Sequence, residues 1–222
     1  MPFSPSSKAR LTHRDFGRFA GSTLFDRIGR AVCQAGCLPR KELFEAWEVA
    51  RRVRRRFRGG PVVDLGGGHG LLAQFLLLLD DSSPTALVVD RTLPISSAKV
   101  HAALVHDWPR LAGRIEFLAC DLEKVEIGAA DLVVSSHACG ALTDVVLARA
   151  SAARARVAVL PCCHDRTSCD PGALSGWVEP SLAIDIMRAV RLETAGYQVW
   201  TETIPRTVTP KNRLLLAAPA VQ

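Results

Sequence analysis

Apolar positions along the chain change their period at residue 59. From Leu11 to Ala35, Phe16, Phe19, Leu24, Ile28 and Val32 recur at mixed helical intervals interrupted by Gly17, Gly21 and Gly29, which predicts one or two short helices. After Leu38-Pro39 the pattern is cleaner. Leu43, Trp47, Ala50, Val53 and Phe57 form one stripe of a helix running to about Arg56, with a run of arginines on its other faces. Gly59-Gly60-Pro61 ends it. Residues 1–10, rich in Ser and Pro, are expected to lack fixed structure.

Beyond residue 59, short apolar runs alternate with helical stretches. Strands are predicted at Val62–Leu65, Ala86–Asp90, Ile115–Ala119, Asp131–Ser135 and Arg156–Leu160. Helices are predicted at Leu71–Leu79, which is apolar nearly all round, at Ser96–Trp108 and at Ala141–Ala153. Strands separated by helices imply right-handed crossovers and a mostly parallel sheet covered on both faces. A last helix, Ser181–Thr194, stops at Gly196, and strands Tyr197–Thr203 and Arg213–Ala218 follow. The segment between those strands is too short for a helical crossover, so they should pair antiparallel. The expected architecture is α/β, with residues 1–58 a basic helical extension and 59–222 the sheet domain.

Composition narrows the class. With 48% hydrophobic and 23% charged residues in 222, the chain can bury a core, which excludes collagen-like, coiled-coil and wholly disordered states. Leu71–Leu79 is its longest apolar stretch, and a bilayer span needs about 20 residues. The first residues lack the apolar region of a secretory signal, so a cytoplasmic protein with seven reduced thiols is expected. Residues 1–58 carry 14 Lys and Arg against 5 Asp and Glu, and the remainder is net acidic. Arg51, Arg52, Arg54, Arg55, Arg56 and Arg58 are either a phosphate-binding face for RNA or an ordinary solvated helix face.

Asp64-Leu65-Gly66-Gly67-Gly68-His69-Gly70 closes the first strand and opens the next helix. Glycines there let the backbone pass under a ligand, and the helix N-terminus offers free N–H groups. A dinucleotide fingerprint starting at Gly66 would need Gly or Ala where Leu71 stands. The D-x-G-x-G-x-G pattern instead resembles motif I of the class I, Rossmann-like methyltransferases that use S-adenosylmethionine. That resemblance implies a seven-stranded sheet with an antiparallel last strand. It also implies a cofactor site of Asp64, Gly66, Gly68, Gly70, Asp90 (ribose hydroxyls) and Asp121 (adenine amino group).

Two further loops should face each other beside the methyl donor. The fourth strand runs into Ser135-Ser136-His137-Ala138-Cys139-Gly140-Ala141-Leu142-Thr143-Asp144, and the fifth into Leu160-Pro161-Cys162-Cys163-His164-Asp165. These loops are similar to those of the tRNA 2′-O-methyltransferase family that carries Cys-His zinc fingers, and of related methyltransferase-like domains. No such finger precedes them here, and Asp165 stands where a second His is expected. His137, Cys139, Cys162, Cys163 and His164 are therefore expected to converge as a catalytic group, His137 acting as base or orienter. A metal is not expected, because Cys162 and Cys163 would alternate faces if the strand pleat continued.

Other residues carry weaker signals. Cys33 and Cys37 fit buried small hydrophobes better than a metal site. His101, His106, Trp47, Trp108 and Trp200 read as packing or surface residues, and Lys211-Asn212 as a turn that could reach the pocket. The expected activity is S-adenosylmethionine-dependent methyl transfer to RNA such as tRNA. The alternatives are a small-molecule or metalloid acceptor, or a non-catalytic binding or metal-sensing module.

Overall fold

A computed structural model of the chain describes residues 3–165 and 167–220. Seven strands form one sheet: β1 (Val62–Leu65), β2 (Ala86–Asp90), β3 (Ile115–Ala119), β4 (Leu132–Ser135), β5 (Arg156–Val159), β6 (Tyr197–Thr203) and β7 (Arg213–Pro219). Their order across the sheet is β3-β2-β1-β4-β5-β7-β6. β7 alone runs against its neighbours, pairing antiparallel with both β5 and β6. The expected class I methyltransferase architecture is thus present, including the antiparallel ending.

The pleat divides the strand residues between two cores. Val62, Val88, Leu132, Val134, Ala158, Leu214 and Leu216 face one side; Val63, Val89, Val133, Val157, Val159, Leu215 and Ala217 face the other. Among the described residues six α-helices cover them: α1 (Leu24–Ala35), α2 (Arg40–Arg56), α3 (Leu71–Leu79), α4 (Ser97–Asp107), α5 (Ala141–Ala152) and α6 (Pro180–Thr194). α1 to α4 share the first core, and α5 and α6 supply the second. Chain order reverses between β1 and β4, so the strand ends around that point form the crevice where ligands bind in such sheets.

The N-terminal segment is integral to the first core. Ile28, Leu43, Val49 and Val53 are fully buried in it, beside α3 and the sheet. At about 1.5–3 kcal/mol for each buried side chain, these four alone rival the net stability of an ordinary domain. Gly29 allows this packing on α1, since a Cβ there would stand 2.2 Å from the Phe19 ring.

Two expectations are corrected here. Residues 3–10 are ordered: Phe3 packs edge-on against Phe19 and Phe44, and the carbonyls of Ser7 and Ala9 accept from the amides of Lys41 and Arg40. Aromatic burial outweighs the Ser/Pro composition, while Met1 and Pro2 lie outside the described residues. Nor are the arginines all solvated. Arg54 is buried, 3.3 Å from Asp80, donating to the Leu76 carbonyl and the Ser83 hydroxyl.

Candidate active site

The glycine loop joins β1 to α3. The amides of Gly66 and Gly67 both donate to the Val89 carbonyl, pinning the loop to β2. Gly70, at φ +69°, lies where a Cβ would strike Phe117 and Val88 within 3 Å, whereas a Cβ at Gly68 would meet nothing within 4 Å. The loop is therefore packed below and open above, a cradle for a ligand that approaches the backbone closely. Asp90, ending β2, accepts from the Gly68 amide at 3.1 Å and the Thr92 amide at 3.3 Å.

Asp64 lies fully buried beneath the loop. One carboxylate oxygen accepts from the Ala73 amide at 3.2 Å, and the other has no partner among the described residues. Burial pushes this carboxyl up to about 7; the Ala73 amide opposes the rise and the charge of Asp90 adds to it. Asp121 accepts from Arg91 at 2.9 Å. Gly66, Asp90, Arg91, Asp121, Leu122 and Leu142 line a cleft of about 410 Å³. A vacant acceptor, an open glycine cradle and two acids at the rim fit the ribose, adenine and amino-acid groups of S-adenosylmethionine.

His69, a mere spacer in the motif, ties this loop to the N-terminal segment. Its Nδ1 lies 2.9 Å from Glu42 on α2 and its Nε2 2.9 Å from the Ser96 hydroxyl before α4. Only the Gly-rich context marks this position in the sequence; its partners lie 27 residues away on either side.

The β4 and β5 loops meet as expected, but three of the five side chains converge rather than five. Cys139 Sγ is 2.9 Å from Cys162 Sγ, Cys162 Sγ is 3.8 Å from Cys163 Sγ, and all three sulfurs lie within 4.8 Å of one another. β5 ends at Val159, so no pleat separates the adjacent cysteines, and the expected alternation of Cys162 and Cys163 does not occur. Neither imidazole joins the sulfurs. His137 is exposed, and His164 is half-buried with its Nε2 2.8 Å from Asp185 on α6. The contact with Asp185 turns the His164 ring toward α6 and away from the sulfurs.

Local geometry explains the thiol cluster. The amide of Gly140, at φ +59° before α5, donates to the Cys163 carbonyl at 3.1 Å and fastens the two loops together. Arg188, fully buried on α6, donates to the Gly140 carbonyl at 3.1 Å and pairs with Asp144 at 2.8 Å and Asp185 at 3.2 Å. Burial opposes ionisation of Asp185, but hydrogen bonds from His164 and Arg213 hold its carboxyl below the usual range. The sequence signal missed was Asp185 and Arg188, one helical turn apart on a face otherwise lined by Ile184 and Leu192.

Lys211 does more than turn the chain. Its ammonium sits 3.7 Å from Cys163 Sγ, while Asn212 is buried and donates to the Ile204 carbonyl. The Cys139 thiol, against burial, then Cys162 and Lys211 draw the Cys163 thiol below its ordinary value. Burial pushes Cys162 the other way. Cys33 is buried and raised to about 12, chiefly by burial, and belongs with Cys37 to the packing. Trp47, Trp108 and Trp200 pack against the first core, as the sequence suggests, and His101 bonds Gln74 at 3.0 Å.

The glycine loop and the thiols are contiguous. A Cβ at Gly66 would stand 3.6 Å from the Ala138 amide nitrogen, and Leu142, whose amide donates to the Cys139 carbonyl, lines the cofactor cleft.

Residues 43–169, more than half the chain, match the family model described as a methyltransferase domain. A glutathione S-transferase C-terminal domain-containing protein homolog of Drosophila pseudoobscura pseudoobscura is 24% identical over 71% of this chain. Its Drosophila melanogaster counterpart is 26% identical over the same share, and the chain spans about a third of either relative's length. Among solved structures, an O-methyltransferase family protein of Burkholderia thailandensis superposes with TM-score 0.54 at 21% identity, covering 96% of this chain and 64% of its own. The M1A22 tRNA methyltransferase of B. subtilis superposes with TM-score 0.50 at 17% identity, covering 78% of this chain and 66% of its own. At those identities the likeness is one of fold. No helix is long and apolar enough to cross a membrane among the described residues.

Proposed function

The chain belongs to the methyltransferase-domain family, whose cofactor is S-adenosylmethionine, and from that premise we propose that it methylates a small molecule at the mouth between the β4 and β5 loops. Bound in the glycine cleft, the cofactor supplies an electrophilic methyl group. The chain's own task is to align the acceptor and manage its proton. His137, exposed on the β4 loop over Gly66, is suited to orient the acceptor or take its proton.

The observation that carries the small-molecule reading is where the arginine run lies. α3 starts at the cofactor loop and ends at the opposite edge of the sheet, and Arg54 bonds there to Leu76 and Asp80. The carbonyls of Arg58 and Gly59 likewise accept from Arg156, the first residue of β5 and so at the edge far from the β5 loop. Arg52 and Arg55 pair with Glu202, and Arg56 stacks over Trp200. A polyanion held at the Arg54 and Arg58 end of α2 would not be delivered to the mouth, and Arg52 and Arg55, although Glu202 stands level with the end of β5, are engaged by that carboxylate.

Incubating the protein with methyl-labelled S-adenosylmethionine and a cell extract split by size is the test. Label in the low-mass fraction is expected. Label in nuclease-sensitive RNA would overturn the small-molecule reading in favour of a tRNA-like acceptor. Cofactor binding without any labelled product would point to a binding module.

A further inference from the structure

We propose that Cys139, Cys162 and Cys163 form a three-thiolate site for a thiophilic divalent cation, Zn²⁺ in the first instance, leaving a fourth coordination position for a non-protein ligand. The site rests on its own geometry, and if the methyltransferase reading holds it places the cation beside the acceptor mouth.

The sulfurs are spaced for a single ion. A tetrahedral Zn²⁺ with Zn–S of about 2.3 Å sets its sulfurs about 3.8 Å apart. Cys162 and Cys163 already stand at 3.8 Å, and Cys139 stands closer to Cys162, at 2.9 Å. Cys139 must draw back from Cys162, and it is exposed on a loop, with all three sulfurs already within 4.8 Å of one another. The rest of the frame is built. Gly140 is bonded to the Cys163 carbonyl, and the buried Arg188 holds the Gly140 carbonyl from the other side. Thiolate is a soft donor that selects such ions.

Donor count and charge agree. His164, next in sequence, is tied to Asp185, and among the described residues no other His, Cys, Asp or Glu joins the three sulfurs. Three protein donors and one open position is the pattern of sites where the ion holds an exchangeable ligand. Three thiolates around a divalent ion leave one net negative charge, and the Lys211 ammonium, 3.7 Å from Cys163 Sγ, offsets it. Coordination displaces the thiol protons to solvent, so each thiol that ligates as thiolate releases one.

The full chain, reduced and stripped of metal, is titrated with Zn²⁺ against a chromophoric chelator and separately with Co²⁺. One equivalent of Zn²⁺ is expected, with a Co²⁺–thiolate charge-transfer band whose intensity reports three sulfurs. Cys139→Ser, Cys162→Ser and Cys163→Ser should each weaken binding beyond the roughly 10- to 100-fold typical of losing an outer partner. Cys37→Ala should change nothing. Should a serine variant fail to fold, the wild-type Co²⁺ band still decides. Calorimetry with S-adenosylmethionine separates the two readings: cofactor binding without metal binding sinks only the metal site, and metal binding without cofactor sinks only the enzyme. No stoichiometric Zn²⁺, a band lacking thiolate character, or tight binding of arsenite but not Zn²⁺ would overturn the site.

Discussion

Arg188 and Asp144 pair at 2.8 Å across the second core, and through them α6 holds the loop that carries Cys139. The guanidinium is fully buried, so its charge is tolerated only because Asp144, Asp185 and the Gly140 carbonyl surround it. Asp144 closes the loop motif, and the structure gives it this positioning role. Asp144→Ala should destabilise the protein by up to ~3 kcal/mol, the lower end for breaking a buried pair, since Asp185 remains. Urea denaturation measures it, and an unchanged midpoint would refute the role.

Asp90 accepts from the glycine loop and faces the cofactor cleft. Asp90→Ala should lower S-adenosylmethionine affinity by about 10- to 150-fold, the worth of ~1.5–3 kcal/mol for bonds to a charged acceptor. Isothermal calorimetry reads this directly. Wild-type affinity in the variant would place the cofactor elsewhere.

Asp64 gives the fold a pH dependence of definite sign. Its folded pKa, about 7, lies above the ordinary 3.8, so the folded state binds the proton more tightly than the unfolded one. The contribution is complete below pH ~4 and is lost as pH rises toward 7, by roughly 1.4 kcal/mol for each pH step of one between these limits. Asp64→Asn should flatten the stability profile over that range. Equal slopes for both proteins in denaturant titrations would show that Asp64 ionises freely.

His137→Ala should retain S-adenosylmethionine and lose about 10²- to 10⁴-fold in kcat if the imidazole moves the acceptor's proton. Single-turnover assays on the acceptor found by labelling provide the check. Full turnover would remove His137 from the chemistry.

The strands and the glycine loop are legible in the sequence because each is a local signal: a period, a breaker, a spacing. Asp64 lies in β1, Asp90 ends β2, and Gly66, Gly68 and Gly70 lie between β1 and α3. What escapes a linear reading is pairing across the fold. The arginine run looks like a free basic face until Asp80 and Glu202, distant in sequence, are set against it. His164 groups with the cysteines in sequence because it follows them, yet its partner Asp185 lies 21 residues on. Lys211 lies 48 residues from the thiol it approaches. Charge partners of this kind leave no periodic trace.

Arg54 also bears on how the molecule comes apart. Its guanidinium bonds Leu76 at the end of α3 and Ser83 before β2, while its helix packs the core shared with the sheet. Amides of α2 and β1 should therefore exchange with solvent at one common rate, through one cooperative opening. A protease would find no weak joint at residue 58, where the charge pattern changes sign. The junction that looks like a seam in composition should, mechanically, be among the last places to yield.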